Sequence, residues 1–104
     1  MKFKTLGMLA GLALATTVTT QVSAQQGVSK ADITLGSIQD LSGPLAGFGK
    51  QARLGMMLRV DEINEQGGIN GRKLKLIVED SGYDPKKAVL AAQKLVNQDK
   101  IFMM

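Results

Sequence analysis

A glycine-rich loop between two predicted elements contains the residue types that could do chemistry. It spans residues 39–49, and its centre is Ser42-Gly-Pro-Leu-Ala-Gly-Phe-Gly-Lys50. Strand-to-helix loops of this kind commonly hold phosphate in α/β proteins. A P-loop, however, needs four residues between its first glycine and the Gly-Lys pair, followed by Ser or Thr. Five residues separate Gly43 from Gly49, and Gln51 replaces the hydroxyl. The sequence therefore excludes a P-loop.

Other catalytic and cofactor sites also lack their residues. Gly43, Gly47 and Gly49 do not fit the Gly-x-Gly-x-x-Gly pattern of dinucleotide sites. The chain has no histidine and no cysteine, which removes most nucleophile-base pairs and transition-metal sites. We therefore expect no cofactor, no metal and no enzyme activity. Asp80 and Asp84 could form the acid pair of an exported enzyme, but a loop carboxylate and a helix cap explain them more simply.

Phe48 is the side chain of this loop that a ligand could use. Open α/β sheets bind ligands beyond the carboxyl ends of their strands, and the loop follows the first predicted strand. The ring could line a ligand pocket. It could equally pack beneath the loop as core, because aromatic side chains bury a large area wherever they lie. The sequence leaves both interpretations open.

Two strands with a helix between them are predicted around this loop. Asp32–Ile38 and Lys73–Asp80 alternate apolar and polar residues, which is typical of strands. Apolar residues at helical spacing between them predict a helix with one buried stripe. The stripe consists of Ala52, Met56, Val60 and Ile63. We expect this helix to end at Gly67-Gly68, and Asn70-Gly71 to form a turn before the second strand.

A second helix and the beginning of a third strand are predicted next. Asp84 can cap the helix N-terminus, and Pro85 fits its first position. Its buried stripe consists of Ala88, Ala91, Ala92 and Leu95. Residues 97–100 end the helix, and Ile101–Met104 begin a strand. The order βαβα(β) predicts an α/β fold with a parallel sheet covered by helices. So few strands without a disulfide give a thin core, which indicates part of a larger domain.

Residues 1–24 have the three-part pattern of a cleaved secretory signal. Lys2 and Lys4 precede an apolar run, Leu6–Ala15, and a polar stretch that ends at Ala24. The run is far shorter than the roughly 20 residues of a membrane span, and no cysteine is present for lipid attachment. We expect cleavage after Ala24 and release into the periplasm. Without the two signal lysines, the 13 basic residues become 11 against 9 acidic, which does not indicate nucleic-acid binding.

A series of short motifs runs through residues 25–104. In order they are Ile33-Thr-Leu-Gly36, Ser42-Gly-Pro44, Gly47-Phe-Gly49, Asp61-Glu-Ile-Asn64, Gly67-Gly-Ile-Asn-Gly71, Glu79-Asp80 and Asp84-Pro-Lys-Lys-Ala88. Their order and spacing resemble the leucine/isoleucine/valine-binding proteins, the substrate-binding subunits of branched-chain amino acid ABC transporters. The resemblance implies a type I periplasmic binding protein fold, in which two α/β lobes joined by a hinge close on a ligand. Residues 25–104 would be the N-terminal part of the first lobe.

The resemblance also implies a function and a role for three residues. Such a protein captures branched-chain or related amino acids, or similar small carboxylates, for an ABC permease of the inner membrane. Phe48 would line the side-chain pocket, and Ser42 and Gly43 would shape the loop beside it. The groups that hold the ligand's amino and carboxylate ends are expected beyond Met104, so we expect the chain alone to be a non-functional fragment. The ligand-binding part of an amino acid or amide sensor or receptor is the alternative. Tyr83 stands where some members have a disulfide cysteine.

Overall fold

The computed structural model describes residues 24–104, so the predicted signal peptide lies outside the described residues except for Ala24. Strands and helices alternate in this part of the chain. The elements are β1 (Asp32–Gln39), α1 (Ala46–Glu65), β2 (Lys73–Asp80) and α2 (Pro85–Asn97). This confirms the predicted βαβα order. Neither helix within residues 24–104 is long and apolar enough to cross a membrane.

The strands form a parallel sheet with β1 at its centre. β1 and β2 run parallel in a register that ends with Gln39 opposite Asp80. On the other side of β1, Met103 forms a parallel bridge with Leu35, and the N–H of Gly36 donates to the Met103 carbonyl at 3.0 Å. The predicted start of a third strand is therefore confirmed. Because the chain moves from one side of β1 to the other, the carboxyl end of β1 is a topological switch point.

Helix α2 packs on one face of this sheet and contains the best-buried side chain. Leu95 has no exposed surface, and Ala91 and Ile101 are also buried, while the other two alanines of the predicted stripe are half-buried. A Cβ built on Gly36 would lie 2.7 Å from Cδ1 of Ile101 and 3.2 Å from Cδ1 of Leu95. The lack of a side chain at Gly36 therefore lets α2 and the chain after it approach β1 closely.

Helix α1 packs on the opposite face, with a stripe that differs at one position from the predicted one. Met56, Val60 and Ile63 are half-buried, but Ala52 is exposed, so its assignment to the core was wrong. The buried residue of the first turns is Gly49. At 3.6 residues per turn, Ala52 lies about 60° around the helix from Gly49, further than Met56, Val60 or Ile63, and is therefore at the margin of the stripe. An open apolar groove of about 400 Å³ runs between α1 and the sheet. Its apolar lining includes Leu35, Leu74, Leu76, Met103 and Met104.

The predicted end of α1 and the turn that follows are confirmed. The N–H of Gly68 donates to the carbonyl of Ile63 at 2.9 Å, and that of Gly67 donates to Asn64 at 3.1 Å. This pair of bonds is a Schellman motif, which satisfies carbonyls left free at a helix C-terminus. The following turn at Asn70-Gly71 has left-handed φ values of 50° and 78°. The chain is thereby returned directly to the start of β2.

Candidate functional site

Two loops lie side by side at the carboxyl ends of the strands. The β1–α1 loop comprises residues 40–45, and the β2–α2 loop comprises residues 81–84. The first is shorter than predicted, because α1 begins at Ala46 and includes Gly47, Phe48 and Gly49. Gly49 was taken as a loop residue, but it is a helical residue at a close contact. A Cβ there would lie 2.0 Å from the carbonyl oxygen of Asp40, so only glycine lets α1 start so near β1.

Asp80, the last residue of β2, binds the β1–α1 loop through both of its carboxylate oxygens. Oδ1 accepts hydrogen bonds from the backbone N–H groups of Leu41 at 2.8 Å and Ser42 at 3.2 Å. Oδ2 accepts from the Ser42 hydroxyl at 2.6 Å. Oδ1 also accepts from the N–H of Gly82, at 2.8 Å, in its own loop. A single side chain therefore fixes the start of the β1–α1 loop to the end of the neighbouring strand.

These hydrogen bonds lower the pKa of Asp80. The hydroxyl of Ser42 makes the largest contribution, followed by the N–H of Gly82, and together with the N–H groups of Leu41 and Ser42 they lower the pKa of Asp80 from 3.8 to about 2. All of these donors favour the carboxylate over the protonated acid. The link between Asp80 and the β1–α1 loop is therefore strongest when the carboxylate is ionised.

Asp40 connects the end of β1 to the β2–α2 loop in the same way. It follows β1, and its Oδ1 accepts from the hydroxyl of Ser81 and, at 3.0 Å, from the N–H of Tyr83. Ser81 is buried, so this bond satisfies a polar group that water does not reach. Each carboxylate thus binds the loop that follows the other strand. The two loops are held together by two crossed sets of hydrogen bonds.

The backbones of the two loops meet at a pair of glycines. Gly43 has φ of +78°, and a Cβ there would lie 2.9 Å from the carbonyl oxygen of Gly82. Gly82 has φ of +56°, and a Cβ there would lie 3.1 Å from Oγ of Ser42. A side chain at Gly43 would meet both a strained backbone conformation and a neighbouring carbonyl.

The three residues predicted to form the site lie at this edge, in two different elements. Ser42 and Gly43 are exposed in the β1–α1 loop. The Ser42 hydroxyl donates to Asp80, which leaves its oxygen lone pairs as the means of contacting a ligand. Phe48 is in the first turn of α1, and 77% of its surface is exposed. Core packing of its ring, the alternative left open by the sequence, does not occur within residues 24–104.

Asp80 and Asp84, the carboxylate pair considered for catalysis, both make hydrogen bonds that stabilise the fold. Asp84 caps α2 by accepting from the N–H of Lys87 at 2.9 Å, with Pro85 in the first turn, which confirms the predicted cap. Asp80 binds the loop backbone, as described above. No cluster of acidic side chains within residues 24–104 could hold a metal ion. Sequence reasoning took Asp80 for a simple loop carboxylate and so missed its link to Ser42.

The sequence has matches among families and characterised proteins. The profile of the periplasmic binding protein family matches residues 32–104. The Leu/Ile/Val-binding protein BraC3 of Rhizobium johnstonii is 43% identical over 77 residues, covering 74% of this chain and 21% of that protein. The chain thus spans about a fifth of the length of the curated relatives it matches.

Two solved structures resemble the fold described here. A fatty acid ABC transporter substrate-binding protein from Thermomonospora curvata has a TM-score of 0.69 and 39% identity, covering 72% of this chain and 19% of that chain. The branched-chain amino acid transporter substrate-binding protein LivJ from Streptococcus pneumoniae, solved with isoleucine, has a TM-score of 0.65 and 34% identity. That match covers 67% of this chain and 20% of the other.

Proposed function

The chain belongs to the periplasmic binding protein family, and we propose that it is part of the extracytoplasmic solute-binding component of an ABC transporter. Its fold is the predicted one, an α/β parallel-sheet segment of a type I periplasmic binding protein. This family consists of substrate-binding proteins rather than enzymes. The proposed ligands are branched-chain or related amino acids, because relatives and structural neighbours include proteins named for binding leucine, isoleucine and valine.

The position of the proposed ligand site rests on one observation. The exposed ring of Phe48 stands beside a loop fixed by Asp80, at the carboxyl end of the central strand. This is the position where open α/β sheets bind ligands. An exposed aromatic ring at this position offers apolar area that an aliphatic ligand side chain could cover. In the proposed site, Phe48 therefore forms an apolar wall, while Ser42 and Gly43 shape the loop next to it.

The proposal extends to compartment and partner. Residues 1–24 would direct export and be removed, leaving the binding protein in the periplasm. The loaded protein would deliver its ligand to an ABC permease of the inner membrane. A sensor or receptor that uses the same lobe remains the second candidate. One related structure is named as a fatty acid ABC transporter substrate-binding protein, so the ligand panel for testing must include a fatty acid.

Binding is best measured in a chimaera, because the chain spans only about a fifth of its relatives. In this chimaera, residues 32–104 replace the corresponding segment of the Rhizobium johnstonii protein. Calorimetric titration would use leucine, isoleucine, valine, phenylalanine and a medium-chain fatty acid. We expect saturable binding of the aliphatic amino acids. A folded chimaera that binds none of these amino acids would contradict the proposed function.

A further inference from the structure

We propose that Asp80 is a positioning residue for ligand binding, which acts by holding the β1–α1 loop in its binding conformation. The proposal rests on the proposed function, since that loop contains Ser42 and Gly43 and leads directly into the turn that carries Phe48. Asp80 itself need not contact the ligand. Its role follows from the four hydrogen bonds that it accepts, three of which come from the β1–α1 loop.

Asp80 holds the middle of this loop. Leu41, Ser42 and Gly43 come after Asp40, which binds the β2–α2 loop, and Gly43 has the backbone conformation that side chains rarely adopt. Consecutive N–H groups of Leu41 and Ser42 point to the same oxygen of Asp80. Without that oxygen, the two donors would be left to water, and the loop would sample other conformations. Ordering it again would then be a cost of ligand binding.

The charge of Asp80 is part of this role. Hydrogen bonds to an ionised acceptor are shorter and stronger than neutral ones, and the bond from the Ser42 hydroxyl is short at 2.6 Å. An asparagine at this position keeps the shape of the side chain but loses the charge and one of the two accepting oxygens. Asp80→Asn therefore loosens the loop, and it also weakens the bond that Asp80 accepts from the N–H of Gly82.

Asp84 provides a control because it is an aspartate at the same sheet edge that binds its own helix rather than the β1–α1 loop. It accepts from the N–H of Lys87 in the first turn of α2. Asp84→Ala removes one charge and the cap of α2, and it leaves the hydrogen bonds of Leu41 and Ser42 in place. A residue that matters only for stability would behave in the same way at either position.

The test measures affinity and loop order separately, in the chimaera and at a temperature where every variant is folded. For Asp80→Asn we expect the Kd for leucine to rise by about tenfold or more, since each lost charge-assisted hydrogen bond is of that order. Ser42→Ala should weaken leucine binding too. Because both substitutions disrupt the same hydrogen bond, Ser42→Ala should raise the Kd less in the Asp80→Asn variant than in the unmodified chimaera. For Asp84→Ala we expect a lower melting temperature, because the helix cap is lost, and an unchanged Kd.

Hydrogen exchange of the ligand-free protein gives a second measurement that does not depend on the ligand. Amides of residues 41 and 42 should exchange slowly in the unmodified chimaera and faster in Asp80→Asn, but not in Asp84→Ala. Equal exchange in all three proteins would overturn the proposal, as would an equal loss of affinity in the two aspartate variants. If the proposed function is wrong, the unmodified chimaera itself does not bind the amino acids, which distinguishes that outcome from failure of the role of Asp80.

Discussion

The hydroxyl of Ser42 lies 2.6 Å from Oδ2 of Asp80, which joins the loop after β1 to the end of β2. The same carboxylate accepts two backbone N–H groups of that loop, and Asp40 binds the other loop in return. The proposed ligand-binding edge of the sheet is therefore built from two loops that stabilise one another.

Alanine at Gly43 and at Gly47 should have opposite effects on stability. Gly43→Ala forces a side chain into a left-handed conformation near the carbonyl of Gly82, which should destabilise the protein by about 1–2 kcal/mol. Gly47 lies in α1 with open space around it, so Gly47→Ala should stabilise by about 0.5–1 kcal/mol. Urea unfolding of the chimaera measures both. A stabilising Gly43→Ala would show that the close approach of the two loops is absent.

Acid should weaken the contribution of Asp80 to stability. Its pKa is lowered from 3.8 to about 2 in the folded protein, mainly by the Ser42 hydroxyl. A depressed pKa stabilises the folded state above the unfolded pKa, and this stabilisation is lost as pH falls from about 4 towards 2. The stability difference between the chimaera and its Asp80→Asn variant should therefore be largest near neutral pH and shrink in that range. Urea midpoints measured from pH 6 to pH 2 provide the test, and a constant difference would contradict it.

Export should remove the first 24 residues. The chain expressed with its own N-terminus in a Gram-negative host should yield a periplasmic product that begins at Gln25, because Ala24 ends a signal pattern with a short apolar run. Mass spectrometry of the periplasmic fraction identifies the N-terminus. Recovery of an exported product that still contains Lys2 would contradict cleavage. A variant with a lengthened apolar run serves as the control, since it should remain in the membrane.

Residues 25–104 by themselves should fold poorly. Large apolar side chains are exposed on both helices, including Leu54 at 59%, Leu58 at 62% and Leu90 at 64%. The sheet also has β2 at one edge and a single bridge to β1 at the other, so its backbone groups are open to pairing with other chains. We expect weak or no cooperativity in thermal unfolding followed by circular dichroism, or self-association in sedimentation. A monomer with a sharp transition would contradict this.

Local patterns predicted most of the fold because they depend on neighbours in the sequence. Lys73–Asp80 is the strand that alternation predicted, and Asp84-Pro85 starts α2 through a bond that spans three residues. The link between Ser42 and Asp80 spans 38 residues, and no local pattern marks it. The start of α1 was misplaced because glycine usually indicates a loop, whereas Gly49 is required by the close backbone of Asp40.

The same limit applies to polar residues within the helices. Asn64 lies near the end of α1, and its amide binds both backbone groups of Leu74, at 2.7 Å and 2.9 Å. That clamp fixes the helix to the start of β2. The sequence placed Asn64 in a motif but gave no partner for it, since the partner is set by the turn between the two elements.

Calorimetric titration of the chimaera and its Phe48→Ala variant with leucine, paired with thermal unfolding of both ligand-free proteins, tests whether Phe48 lines the ligand pocket. If this segment forms the ligand-binding edge, Phe48→Ala weakens leucine binding and leaves the melting temperature of the ligand-free protein nearly unchanged, because a ring that lines an open pocket is covered only when the ligand binds. Gln51→Ala, at an exposed polar residue one turn further along α1, should change neither. Unchanged affinity, together with a stability loss of roughly 3–5 kcal/mol as for a core aromatic, would contradict the account.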